Sequence, residues 1–255
     1  MINLFRKKNY FLTIPFLFAS NLLADSFPDY SRENNINEQI TSFVFDSDII
    51  EISSQLENKF NLVSHINSSD DISILLLHGR GLHPTEPNVI NPLRTHLLDK
   101  NYNVYSLQLP VLSRGKTYND YFKIFNYSDS RIQSSIDYIS SKKIFIIAHS
   151  CGAHMLLSFM KNNPPKNITG IILIGAGAVD KDQFMLDDID LSYYKGSLLN
   201  IYGEHDHNSV KSFANSLKSE YPVFESLEVQ DADHNYLNEI SILYLQRFKY
   251  RVFRF

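Results

Sequence analysis

The stretch Ile144-Phe-Ile-Ile-Ala-His-Ser-Cys-Gly-Ala-His-Met-Leu-Leu-Ser-Phe159 constrains the fold more than any other part of the chain. Ile144 to Ala148 suits a strand buried on both faces, whereas the apolar residues of Cys151 to Asn162 have helical spacing. Only His149 and Ser150 separate the two, so the backbone must turn sharply at Ser150. Small residues at 148 and 152 bracket that serine, as a turn with little room for side chains requires. The pattern is G-x-S-x-G with Ala148 in place of the first glycine, a substitution that adds only slight crowding.

The surrounding sequence repeats the same alternation. Apolar runs at Ile72–Leu77, Asn103–Leu107, Ile144–Ala148, Gly170–Ile174 and Leu198–Tyr202 read as strands, with a final one at Glu225–Val229. Helical spacing falls between or after them, at Asn91–Lys100, Ser130–Ser141, Cys151–Asn162, Val210–Ser219 and Tyr236–Phe253. Near-continuous Ile, Leu and Val runs of this kind predict an α/β fold. Its sheet is mostly parallel, of about seven or eight strands, and covered by helices on both faces. Ahead of these, Thr41–Phe45 and Phe60–Ile66 are weak strand candidates for an antiparallel edge pair, and Ile49–Asn58 is ambiguous between strand and helix.

With 255 residues, 44% hydrophobic and 20% charged, the chain suffices for one substantial core, so a single folded domain is expected from residue 41 to 255. Residues 25–40 are polar, rich in Asn, Ser and Asp, and read as an exposed segment. Residues 1–24 have the layout of a secretory signal peptide: Arg6, Lys7 and Lys8, then the apolar Tyr10–Ala19, then Ala24 before Asp25. The apolar stretch is short for a spanning helix, which needs about 20 residues. Export is therefore expected, to the periplasm if the source is Gram-negative. Cleavage removes three cations and no acid, taking the formal charge from −4 to −7. An acidic body of this kind is a poor nucleic-acid ligand. Cys151 is the sole cysteine, so no intramolecular disulfide can form, and the absence of a Cys/His cluster argues against structural zinc. His205 and His207 are close enough in sequence to share a metal but read better as polar loop residues. No phosphate, dinucleotide or haem motif is present, so neither cofactor nor metal is expected.

A serine hydroxyl becomes a nucleophile when a base takes its proton and a third group orients the base. Candidates for both follow later strands. Asp206 lies in Gly203-Glu-His-Asp206 after Leu198–Tyr202, and His234 lies on the loop after Glu225–Val229. Taken singly, Asp206 could cap the helix beginning near Ser209, and His234 could be a surface loop histidine. Their common position at strand ends, in the order Ser150, Asp206, His234, favours a catalytic triad. Glu204 is a reserve acid and Asp180 a weaker one. For the oxyanion of an acyl-transfer intermediate, the backbone N–H groups of Arg80, in Leu77-His-Gly-Arg-Gly81, and of Cys151 are the candidate donors. Cys151 as nucleophile is disfavoured, because an elbow projects the serine and turns the next side chain aside. His149 is expected to pack near the site, and His154 to lie near it on the helix.

These motifs, namely Leu-Leu-Leu-His78-Gly79, Ala148-His-Ser150-Cys-Gly152, Gly203-Glu-His-Asp206 and Asp233-His234, resemble those of the α/β-hydrolase superfamily, over a span from about Thr41 to the C-terminus. More narrowly, His78-Gly-Arg-Gly-Leu-His-Pro84, Ile90-Asn-Pro-Leu-Arg94 and Ser106-Leu-Gln-Leu-Pro110 resemble an exported bacterial domain family of unknown function within it. Tyr118-Asn-Asp-Tyr-Phe122 and Arg131-Ile132 agree. The resemblance implies an exported protein with the hydrolase fold and no particular substrate; the small-molecule acyl substrate is expected from the triad. The oxyanion loop lacks the Gly-Gly-Gly run of one esterase branch.

The leading expectation is a serine hydrolase of carboxylic esters, with thioesters and amides open to the same machinery. The alternative is a catalytically silent binding protein of the cell envelope. Only about twenty residues separate the strands ending near Ile174 and starting near Leu198, too few for a large cap domain. They include Asp180, Asp182, Asp187, Asp188 and Asp190, which read first as a solvated acidic loop and, if they border the site, as a rim suited to neutral or cationic substrates. The terminal Arg247-Phe-Lys-Tyr-Arg-Val-Phe-Arg-Phe255 could touch an anionic membrane surface, although a helix with its aromatics packed inward is the better reading.

Overall fold

A computed structural model of the chain describes residues 26–57, 59–67, 71–162, 166–185 and 189–237. The proposed leader, the terminal basic-aromatic stretch and the helix expected after Tyr236 lie outside them, apart from Tyr236 and Leu237 themselves. The described elements run α1 (Tyr30–Thr41), β1 (Asp48–Ile52), β2 (Phe60–His65), β3 (Ile72–Leu77), α2 (Ile90–Leu98), β4 (Asn103–Leu107), α3 (Tyr118–Phe122), α4 (Phe125–Tyr138), β5 (Lys143–His149), α5 (Cys151–Asn162), β6 (Ile168–Ile174), β7 (Ser197–Gly203), α6 (Asn208–Glu220) and β8 (Glu225–Val229).

The eight strands form one sheet in the order β1-β2-β4-β3-β5-β6-β7-β8. β1 and β2 are antiparallel to their neighbours, and the six from β4 to β8 run parallel. Alternate side chains explain why both faces are apolar. Ile74 and Leu76 of β3, with Phe145 and Ile147 of β5, pack under Leu93 and Leu97 of α2. Their neighbours Leu75, Leu77, Ile146 and Ala148 point the other way, into a core shared with α4 and α5. No helix among the described residues is long and apolar enough to cross a membrane.

The chain leaves β3 toward β4 on one side and returns as β5 on the other. The connections therefore diverge at the carboxyl ends of β3 and β5, where open parallel sheets form their ligand crevice. His78-Gly79 and Ser150 follow directly on those two strands. The described residues between β6 and β7 contain neither helix nor strand, in keeping with the absence of a large cap.

Three expectations for the N-terminal third need correction. Thr41–Phe45 is the end of α1 and a turn, so the edge pair is β1 with β2, and the ambiguous Ile49–Asn58 begins as strand. Residues 30–41 are helical rather than irregular, and although most of the helix is exposed, Glu33 and Ile40 are buried. Asp29 caps the helix by accepting the Arg32 N–H at 3.0 Å. Glu33 accepts from Arg131 at 2.9 Å and from the Val111 N–H at 3.0 Å, while Arg131 also donates to Glu57 at 2.7 Å. A polar helix is thus held by a buried ion cluster, a tie that leaves no hydrophobic periodicity in the sequence. α3 was also unforeseen; Thr117 and Asp120 start it with reciprocal capping bonds.

Candidate active site

Ser150 has the left-handed backbone conformation, φ 53°, that a strand-to-helix elbow imposes on a residue with a side chain. Its N–H donates to Ile174 of β6 at 2.8 Å, which ties the elbow to the sheet. Gly152 is required by closeness: a Cβ there would lie 2.3 Å from the His78 carbonyl oxygen, so any side chain would push α5 off the end of β3. Ala148 is an ordinary strand residue paired with Leu77 and Leu173, which explains why a methyl group is accepted where the motif has glycine.

Around this elbow three side chains align. Ser150 Oγ is 2.9 Å from His234 Nε2, and His234 Nδ1 is 2.8 Å from Asp206 Oδ1. Asp206 is buried, while the His234 side chain keeps 16% of its surface exposed. Burial, the largest influence on Asp206, opposes its ionisation. The hydrogen bond and charge of His234, with the His207 and Gly203 backbone, together outweigh it and hold the carboxyl below its ordinary range. Asp206 does not cap α6: the N-cap is His207, whose N–H donates to Asp206 at 2.8 Å.

The loop after β3 approaches from the other side, and a Cβ on Gly79 would lie 3.4 Å from that of Ser150. The Gly79 carbonyl accepts from His78 Nδ1 at 2.8 Å and from the Leu82 N–H at 3.2 Å. Because the peptide is trans, the Arg80 N–H points opposite to that anchored carbonyl. Among the described residues neither it nor the Cys151 N–H meets an acceptor, and the Cys151 N–H opens α5, where helix polarity favours negative charge.

Three further histidines brace this end of the sheet as neutral rings. His78 Nε2 accepts the Leu109 N–H at 3.0 Å, and His154 Nε2 accepts the Gly177 N–H at 2.7 Å. His149 Nε2 lies 3.2 Å from the His234 carbonyl. Burial pushes His78 and His154 down to about 3 and, with the nearby His234, His149 down to about 4. The sequence alone places His149 and His154 only as neighbours of the site. The signal available in the sequence was that both adjoin the elbow with no nearby acid to keep them charged.

Solved structures with this arrangement of elements include an esterase of Pyrococcus furiosus, 18% identical, covering 84% of this chain and 94% of its own, with TM-score 0.63. Dienelactone hydrolase of Anabaena variabilis matches at 14% identity over 82% of this chain and 97% of its own, TM-score 0.63. An esterase of a Rhodococcus species matches at 12% over 80% and 99%, TM-score 0.61. This is the α/β-hydrolase fold. No protein-family model and no curated protein sequence matches the chain.

Within the α/β-hydrolase fold the remaining predicted residues are placed as follows. Asp180 does not approach His234. It forms an ion pair with Arg80, one arm of which is 2.9 Å long, and accepts the Tyr118 N–H at 2.6 Å, bridging three loops above the sheet. Glu204 instead accepts the Asp231 N–H at 3.0 Å. Neither reserve acid is in position to serve. The Cys151 thiol is buried, and burial pushes it up to about 12, which removes it as a nucleophile. His205 and His207 do not share a site: His205 lies beside Glu204 and Asp231, and the His207 ring lies 4.9 Å from that of His234. Asp206, His207 and His234 bring potential ligand atoms within 4.8 Å of one another, but Asp206 and His234 are already bonded together. In the acidic segment Asp180 is neutralised by Arg80 and Asp190 accepts the Ser192 N–H at 2.8 Å, while Asp187 and Asp188 lie outside the described residues.

Proposed function

We propose that the protein is a cofactor-free serine hydrolase of carboxylic esters, exported from the cell. The observation that carries this reading is the continuous relay from Ser150 Oγ through both nitrogens of His234 to Asp206, at 2.9 and 2.8 Å, from a serine held at positive φ. In the first half-reaction Ser150 Oγ attacks the ester carbonyl as His234 Nε2 takes its proton. The Arg80 and Cys151 N–H groups receive the negative charge that develops on the carbonyl oxygen. His234 then gives the proton to the departing alkoxide, leaving an acyl-serine and a free alcohol. Water repeats the sequence: His234 takes its proton, its oxygen attacks the acyl carbon, and Ser150 leaves reprotonated with release of the acid. Asp206 keeps His234 in the tautomer that presents Nε2 to Ser150 and stabilises the imidazolium formed in each half.

Esterases and hydrolases among the proteins of like fold support this class, and thioesters or amides would use the same steps. A silent binding protein would be favoured by Asp206 turned away from His234, an arrangement the 2.8 Å contact does not have. The test is a panel of short 4-nitrophenyl esters with the mature protein beside Ser150→Ala, together with fluorophosphonate labelling. Hydrolysis and labelling that both vanish in the variant are expected. Equal rates for the two proteins would remove Ser150 as the nucleophile.

A further inference from the structure

A pocket of ≈ 380 Å³ adjoins the loop that follows β3, lined by Arg32, Arg80, Arg114, Lys116, Tyr121 and Asp180 among others. Four cations and one acid make its wall net positive in a chain whose formal charge is −4. The charge is not cancelled locally. Arg80 is neutralised by Asp180, but Arg32 spends its guanidinium on two neutral carbonyls, those of Leu112 and, at 2.7 Å, Gly81. Those two bonds fix its position without removing its charge. Arg114 has no ion pair or hydrogen bond among the described residues. Among the described residues Lys116 is offset only by the charge of Asp120, which also accepts from Thr117 and lies 3.6 Å from Lys123.

The pocket belongs to the same loop as the candidate oxyanion donor. Gly79 abuts Ser150, and Gly81, two residues on, abuts the Arg32 guanidinium and the Tyr121 hydroxyl. Two residues span at most about 7 Å, and a Cβ on Gly79 or Gly81 would lie 3.4 Å from Ser150 or from the Arg32 guanidinium, so one extended substrate can reach both Ser150 and the pocket. A planar guanidinium held in advance, with the exposed cations Arg114 and Lys116 beside it, is suited to a carboxylate or phosphate.

We propose that this pocket receives a negatively charged group carried by the ester that Ser150 attacks, so that the substrates are anionic esters bearing a carboxylate or phosphate a short chain from the scissile bond. The proposal rests on the serine-hydrolase reading and reverses the expectation of neutral or cationic substrates drawn from the acidic segment. Positive potential at the mouth also speeds encounter with such esters, and salt weakens it.

The experiment compares matched 4-nitrophenyl esters: pentanoate, its carboxylate counterpart hydrogen glutarate, and 4-phosphonobutanoate. Each is tested on the wild type and on Arg114→Gln/Lys116→Gln. The expected result is a higher kcat/KM for at least one charged ester than for pentanoate. That charged-to-neutral ratio should fall about tenfold or more in the double variant and fall also in high salt. The glutarate and phosphonate arms identify which anion is preferred. Calorimetric titration of Ser150→Ala with free glutarate and 4-phosphonobutanoate reads the pocket without turnover, and saturable binding weakened by the double substitution is expected. No preference for either charged ester, or a ratio unchanged in the variant, overturns the proposal and leaves the esterase reading standing. If no ester turns over and Ser150 resists the fluorophosphonate, that reading fails. The pocket is then judged by the titration, in which absent binding, or binding indifferent to the double substitution, overturns it.

Discussion

At the scale of single residues, the site depends on side chains whose alternatives are closed off by their surroundings. Asp206 is buried against His234, so replacing it with an isosteric amide should leave the fold intact while permitting the wrong imidazole tautomer. Asp206→Asn is expected to lower kcat by about 10⁴-fold with little change in thermal midpoint. Steady-state kinetics beside a melting curve check this, and a loss below tenfold would mean that Asp206 does not orient His234. The candidates Ser150, Asp206 and His234 could be picked out in the sequence because the proposed nucleophile, acid and base each follow a strand in the expected order. Their competitors Glu204 and Asp180 rank below Asp206 there, but the sequence does not exclude them. Only the fold pairs the one with the Asp231 N–H and the other with Arg80.

At the scale of elements, α5 and α1 hold the site by different means, and they differ in how visible they are to a reader of sequence. α5 announces itself by apolar periodicity and by Gly152, where a Cβ would meet the His78 and Leu77 carbonyl oxygens at 2.3 and 2.9 Å. Both atoms are backbone, so relief requires the helix start to move. Gly152→Ala is expected to cost about 1–3 kcal/mol in denaturant unfolding and to reduce activity further by displacing the Cys151 N–H. An unchanged urea midpoint would contradict this packing. α1 was not legible, because what anchors it is a charge. Glu33 meets Arg131 inside the core, and Arg131 is fully buried with Glu57 as its other carboxylate partner. Charged residues read as solvent-facing until the fold brings the opposite charge beside them. Removing the shared cation leaves two carboxylates uncompensated in the interior, so Arg131→Met should destabilise by about 3–5 kcal/mol, whereas Asn34→Ala on the exposed side of α1 should be nearly neutral. Equal midpoints for these two variants would show that the cluster does not anchor the helix.

At the scale of the whole molecule, three neutral histidines buried around one end of the sheet couple folding to pH. His78, His149 and His154 are pushed from the ordinary value of 6.5 to about 3, 4 and 3. Between those limits the unfolded chain binds protons that the folded protein refuses, so stability rises with pH across the interval and falls on acidification. The steepest loss, with all three unfolded rings charged, approaches about 4 kcal/mol per pH unit between roughly pH 6 and 4. Asp206 and Asp180, held below their ordinary range, add to the loss at still lower pH, while Glu33, raised mainly by burial, acts in the opposite sense. Raised phenols such as Tyr121 and Tyr194, together with the Cys151 thiol, give a second decline on the alkaline side, because the unfolded chain loses those protons first. Urea unfolding from pH 7 to 5 reads the acid limb. His154→Gln retains a side-chain acceptor for the Gly177 N–H but cannot be charged, so it should remove one proton's share, about 1.4 kcal/mol per pH unit, from the slope. A midpoint that does not change between pH 7 and 5 would mean that the rings accept protons in the folded protein, and their bonds to Leu109 and Gly177 could not then be as described, since a protonated ring nitrogen cannot accept an N–H.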